Sequence, residues 1–197
     1  MRIANEMRIA HPPDDVLAAL LDVRRVAGCL PGGRLTGRSG DAHTGEVTVR
    51  VGTLRAAYTG TVRYLEADRA RRRIVVRARG TEASGQGDAD VHVVVTVGPD
   101  GGGSVVSLDT HLTVRGRVAR FGRSALTELA DRATARFAAA MERRLAEAEP
   151  AHAGPAPDGP RRHARPALGR AAAPAAVAAL VAAGVAAGVV LRRRSRR

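Results

Sequence analysis

Chemistry in this 197-residue chain has to come from side chains that move protons, hold metals or attack carbonyl carbon, and these are few and scattered. His11, His43, His92 and His111 share no HxxxH or CxxC spacing, so no metal site is written into the sequence. His111 stands two residues after Asp109, which puts both on one face of a strand; a solvent-facing polar pair is the simpler reading. Cys29 is the only cysteine, so no internal disulfide can form. A reactive thiol needs a positive neighbour to lower its pKa, and along the chain only Arg24 and Arg25 are near, so Cys29 reads as a small residue packed into a turn. Gly28 to Gly33 lacks the lysine and the strand–loop–helix order of a phosphate loop. No acid–base pair is arranged for catalysis.

The remaining chemistry is recognition of something apolar. Tyr58, Tyr64, Phe121 and Phe137 are the only aromatic residues. On inward phases of sheet and helix they could sandwich a flat ring, a tyrosine hydroxyl donating to its carbonyl, although core packing alone would also use them. Val91, Leu108 and Leu129 fall on the same inward phases. Gly45, Gly52, Gly60, Gly80, Gly85 and Gly87 interrupt the strands, as bulges and bends require, and missing side chains also leave room for a ligand.

The elements that must position these residues follow from periodicity. Residues 1–9 alternate loosely and read as a strand. His11-Pro12-Pro13-Asp14-Asp15 opens a helix, with proline in the first turn and acids at the positive end. Val16, Leu17, Leu20 and Leu21 give it a buried face, and residues 23–27 suit a second short helix, stopped by the glycines and proline of 28–33. From 34 to 114 the texture is β, with Val47, Val49 and Val51 alternating with polar residues, and later runs through Tyr58, Ile74, Val91 and Leu108. Hairpin-length turns predict an antiparallel meander. Val118, Phe121, Ala125, Leu129, Ala133, Phe137 and Met141 then recur at steps of three and four, which predicts an amphipathic helix over about 118–148.

Charge is uneven. Net charge is +13, of which +5 falls in residues 1–149 and +8 in residues 150–197. Few aromatics and no nucleic-acid motif argue against a nucleic-acid partner. The cluster Arg71, Arg72, Arg73, Arg77 and Arg79 suits either a solvated edge or an acidic partner. Residues 150–170, rich in proline, glycine and arginine, read as a linker. Residues 171–191 are uncharged and eleven of them are alanine; as a helix of roughly 31 Å they would match a bilayer core. Gly184 and Gly188 form a GxxxG spacing that an alanine-rich run meets by chance. Residues 192–197 form a basic tail suited to anionic headgroups. Arginines on both sides leave the orientation of a span open. The N-terminus has no apolar signal core, so the expected place is the cytoplasmic face of the cell membrane, anchored at the C-terminus.

One series of motifs narrows the fold. Asp22 leads into Cys29-Leu30-Pro31-Gly32, followed by the strand from Gly45 to Gly52, then Tyr58-Thr59-Gly60, Gly85-Gln86-Gly87, and Gly116-Arg117-Val118-Ala119-Arg120-Phe121-Gly122. Across about residues 2–148 the chain resembles the carbon monoxide dehydrogenase CoxG family of the SRPBCC/START-like superfamily. The resemblance implies an α+β helix-grip fold: an antiparallel sheet wrapped around a long C-terminal helix, with a separate hydrophobic helix behind it. It implies a pocket between helix and sheet, with Cys29, Pro31 and Gly32 at its mouth and no covalent cofactor, holding an apolar small molecule such as a menaquinone-like quinone. It also implies an accessory, non-enzymatic role, bringing a CO dehydrogenase-like molybdenum hydroxylase to membrane lipid. A ligand-free adaptor and a polyketide cyclase/aromatase-like enzyme are the rival readings. The absence of tryptophan departs from the family pattern.

Overall fold

The computed structural model describes residues 1–148. The linker, the hydrophobic segment and the basic tail expected over 150–197 lie outside the described residues. Eleven elements follow in order: β1 (Arg2–Ile9), α1 (Pro13–Leu21), α2 (Val23–Cys29), β2 (Gly33–Ser39), β3 (Ala42–Val51), β4 (Leu54–Asp68), β5 (Arg73–Glu82), β6 (Asp88–Asp100), β7 (Gly103–Val114), a 3-10 turn (Val118–Phe121) and α3 (Gly122–Ala148). The strands form one antiparallel sheet in the order β1-β7-β6-β5-β4-β3-β2. The meander predicted from the hairpin turns is present, and β1 closes it by pairing with β7.

Residue spacing explains each element. α1 starts behind Pro12 with Pro13, Asp14 and Asp15 in its first turn. Proline there gives up no helical hydrogen bond, and the acids meet the positive end of the helix dipole. Asp22 caps α2, its Oδ1 accepting from the backbone N–H of Arg24 (2.9 Å) and Arg25 (3.2 Å). A carboxylate accepting free N–H groups at a helix start stabilises it by about 1 kcal/mol. Two further bonds tie α1 to the sheet: Tyr64 Oη donates to the Leu20 carbonyl (2.7 Å), and Arg72 Nε to Asp14 (2.8 Å).

Strand β2 has no counterpart among the individual runs read from the sequence. Leu35 is its only large apolar residue, a register shift between Leu35 and Gly37 breaks its alternation, and most of it is exposed. An edge strand of this kind carries almost no period-two signal.

The long helix also departs from expectation at its start. Residues 118–121 form a 3-10 turn, and Gly122, at φ +75°, changes the backbone direction before α3 begins. That left-handed conformation suits glycine and resets the helical phase. Val118 is buried, but Phe121 is swung outward and is 38% exposed. From Leu126 onward the predicted stripe holds: Leu129, Ala133, Phe137 and Met141 are all buried, packed on β1 and α2. No helix among the described residues is long and apolar enough to cross a membrane.

Candidate functional site: an apolar cavity floored by small residues

The helix-covered face of the sheet divides into two parts. Where Ile74, Val76, Val93, Val95, Leu108, Phe137 and Met141 meet, all are buried and the interior is filled. Further along the same strands, Gly45 stands opposite Gly60, Gly60 opposite Gly80, and Gly80 opposite Ala89. Directly opposed residues share a face, so four strands place almost no side chain there. The close approach at Gly60 is obligatory, because a Cβ at that position would run into the Arg79 carbonyl oxygen. Glycine therefore lets the strands bend together and, on the same row, removes the atoms that would fill the interior.

An apolar cavity, open at its mouth, lies over this row. Its roof is Ala27 and Leu30 from the end of α2, with Gly33 and Leu35 of β2; Val47, Val91 and Leu112 are among its apolar walls. Two polar groups matter. Tyr58 lines the cavity and is 5% exposed, and its hydroxyl has no hydrogen-bond partner. Burial pushes this phenol's pKa up, and nearby Glu82 pushes it further, so it stays a neutral donor. Glu82 sits opposite Tyr58 across β4 and β5, is itself buried, and is bound through Oε1 by Arg117, while its Oε2 is unpartnered. A buried hydroxyl without a partner costs about 1 to 3 kcal/mol in lost hydration, a cost that a ligand oxygen would remove.

His43 also lines the cavity, and its pKa is lowered by burial and then by Arg38, so the imidazole is neutral at pH 7. Its position relative to Tyr58 matters for chemistry. His43 pairs with Val62, and Tyr58 pairs with Val47, four residues further along β3. At roughly 3.3 Å per strand residue the two are about 13 Å apart along the strands, too far to act on one atom as acid and base.

The sequence-derived site residues are partly assembled. Tyr58 and Val91 are in the cavity wall. Tyr64 is not; its hydroxyl is bound to the Leu20 carbonyl, and it fastens α1 to β4. Leu108, Leu129 and Phe137 belong to the filled part of the core, and Phe121 lies outside it. The cavity is roofed by α2 and β2 rather than by the aromatic stripe of α3, because α3 lies toward β1 at the other edge of the sheet. At the turn expected to form the mouth, Cys29 is buried, with Ala27, Leu30 and Gly33 around it facing the cavity. Burial raises the Cys29 thiol pKa, against a smaller opposing pull from Arg144, Arg25 and Arg143, which fits a packed residue. Gly32 is exposed and pins the turn to β3 by accepting from Thr48 N (3.1 Å).

Surface charges elsewhere are largely paired. Arg2 grips Asp109 through two bonds (2.8 and 2.5 Å), so Asp109 is engaged by an arginine rather than by His111. In the basic cluster Arg71 pairs with Asp68, Arg72 with Asp14, Arg73 with Glu66, and Arg77 and Arg79 with Asp90. β5 is the central strand of the seven, so these charges are matched by neighbouring carboxylates on a paired strand and its leading turn, and the expectation of a sheet edge is not met. No group of three or more His, Cys, Asp or Glu side chains suited to a metal occurs among the described residues.

His43 and Glu82 were missed as site residues. Their signal was positional: each belongs to the phase that carries Val47 and Ala78, where a polar residue is conspicuous.

The sequence profile of the carbon monoxide dehydrogenase CoxG family matches residues 6–146. No curated protein is a significant match. Among solved structures, a conserved protein from Geobacillus kaustophilus superposes with a TM-score of 0.67 at 15% identity, covering 75% of this chain and 97% of the other. The Zhui aromatase/cyclase of a Streptomyces species gives 0.52 at 16% identity, covering 78% and 98%. Norcoclaurine synthase from Thalictrum flavum gives 0.52 at 18%, covering 75% and 87%. At such identities the likeness is one of fold: the helix-grip architecture of an antiparallel sheet with a long C-terminal helix.

Proposed function

The chain belongs to the carbon monoxide dehydrogenase CoxG family, and from that premise we propose that it is a non-enzymatic accessory protein whose cavity binds an apolar ligand carrying a hydrogen-bond-accepting oxygen, with a quinone as the best fit. The observation that carries this reading is the pairing of a side-chain-poor apolar cavity with the unpartnered hydroxyl of Tyr58. Apolar walls supply affinity by excluding water, and one polar group sets orientation. A quinone carbonyl meets both demands, accepting from the phenol while its ring and tail stay among Val47, Val91 and Leu112.

The partner follows from family membership. A CO dehydrogenase-like molybdenum hydroxylase releases electrons, and a quinone carrier beside it passes them to a lipid-soluble pool. The segment at 171–191, with the arginines after it, tethers the carrier to the cytoplasmic face of the membrane, and the linker at 150–170 lets the domain reach enzyme and bilayer at high local concentration.

A cyclase-like activity has a specific observation behind it, the aromatase/cyclase and synthase that share the fold. Against it stand the separation of His43 from Tyr58 and the engagement of Glu82 by Arg117. The test is native extraction of the full chain from membranes, followed by mass spectrometry and titration with a soluble naphthoquinone. Stoichiometric quinone, lost when Ala89→Leu fills the cavity, is the expected result. An empty protein that still captures the hydroxylase would replace the carrier by a ligand-free adaptor.

A further inference from the structure

The tip of the β3–β4 hairpin combines features that the rest of the surface keeps apart. Arg50 and Arg55 stand directly opposite each other behind the two-residue tip, both exposed. Like charges at such a pair destabilise a hairpin. Most strand arginines elsewhere are matched by a carboxylate, as Arg77 and Arg79 are by Asp90. Arg50 and Arg55 have no ion-pair partner among the described residues. Glu46 on β3 and Glu82 on β5 are already held by Arg34 and Arg117. Arg120, exposed on the 3-10 turn, likewise has no acid partner among the described residues.

Phe121 adjoins this charge. It is one of two large apolar side chains exposed among the described residues, the other being Leu65 at 55%. Its ring borders the hairpin tip: a Cβ built on Gly52 would lie 3.9 Å from Phe121 Cε1. Val118, fully buried one turn earlier, and the bend at Gly122 fix the ring outward.

Unpaired arginines around an outward aromatic ring match the boundary of an anionic bilayer, where phosphates meet guanidinium groups and a ring enters the acyl edge. We propose that this tip, Arg50, Arg55, Arg120 and Phe121, is a contact surface for anionic phospholipid, which orients the folded domain on the membrane. An acidic surface alone would satisfy the arginines but would leave the ring in water, whereas a bilayer supplies phosphates and an apolar phase together. The inference holds whether or not the cavity is occupied.

The chain contains no tryptophan, so Phe121→Trp supplies a single reporter in the full-length protein. Adding vesicles of phosphatidylcholine mixed with phosphatidylglycerol should blue-shift its emission, and vesicles of phosphatidylcholine alone should not. Leu65→Trp, eleven residues from Leu54 along β4 and about 36 Å away, should stay unshifted. Changing Arg50 and Arg55 to Gln in the Phe121→Trp background should raise the lipid concentration at half-shift about fivefold per charge removed. A Phe121→Trp protein that sediments with anionic vesicles by its C-terminal segment yet shows no shift overturns the proposal. So does an equal shift for Leu65→Trp, or a shift with polyglutamate and none with vesicles, which would assign the tip to an acidic protein.

Discussion

Two stretches of one sheet face, built from the same strands, do opposite things. Along the row Tyr64, Val76 and Val93, branched and aromatic side chains join the hydrophobic core, and Tyr64 is bonded to α1. Along the row Gly45, Gly60, Gly80 and Ala89, the same strands offer hydrogen atoms and one methyl group. The contrast extends to the two tyrosines, six residues apart on β4. The hydroxyl of Tyr64 is spent on the Leu20 carbonyl, and that of Tyr58 is spent on nothing. One end of the strand is organised for stability and the other retains an unmet demand. In a domain of this size, binding capacity is made by omitting side chains as much as by adding them.

The comparison can be broken at either end. Phe137→Ala should have the largest effect, since the ring is fully buried in the filled part; a loss of about 3 to 5 kcal/mol is expected from denaturant melts. Ala89→Leu should change stability far less, because the added atoms enter existing space, while naphthoquinone binding by the same protein weakens at least about tenfold. Equal destabilisation by both variants would mean that the cavity closes in solution.

The tyrosines give the sharper pair. Tyr64→Phe should lose about 1 kcal/mol of stability with its hydrogen bond, leaving the Leu20 carbonyl unpaired. Tyr58→Phe should leave the ligand-free protein as stable as before or slightly more so, because it removes a buried hydroxyl that bonds nothing, and should weaken carbonyl ligands about 3- to 10-fold. If Tyr58→Phe costs as much stability as Tyr64→Phe, the hydroxyl has a partner and the site argument fails.

The smallest effect concerns acid. Arginine hydrogen bonds hold the carboxyls of Asp14, Asp90 and Asp109 below the usual aspartate range, in each case with the side-chain bond to Arg72, Arg77 or Arg2 as the first cause. A carboxyl whose folded pKa is depressed contributes stability above its unfolded pKa of about 4 and loses it as pH falls through the folded value. Melting temperature should therefore decline below about pH 4, and Asp90→Asn should flatten part of that decline. These pairs are largely exposed and screened, so the slope should be shallow.

Much of the fold was legible in advance. The period-two runs gave β3 to β7, the prolines and acids gave α1, and the three-and-four spacing gave α3 from Leu126 onward. Where the period itself was broken, reading failed: at β2, with a single large apolar residue, and at Phe121, where Gly122 reset the phase of a helix extrapolated through it. The site was legible only in part. Tyr58 and the glycines stood out by type, but Leu108, Leu129 and Phe137 looked equally inward, and period alone does not say whether an inward side chain meets a neighbour or a void. His43 and Glu82 carried a signal as polar residues on an apolar phase, and Glu82 needed Arg117, 35 residues away, before its charge could be placed.

By itself the sequence determined which face of each strand would be buried, because alternation is a local property of the chain. It also determined that a stripe of glycines would be available. Only tertiary structure decided that Gly45, Gly60 and Gly80 fall on one row, since register between strands is set by turns and bulges acting together. Only tertiary structure decided that α3 lies toward β1 and leaves that row to be roofed by α2 and β2. A void is a property of how elements fail to meet, and no single segment of chain encodes it.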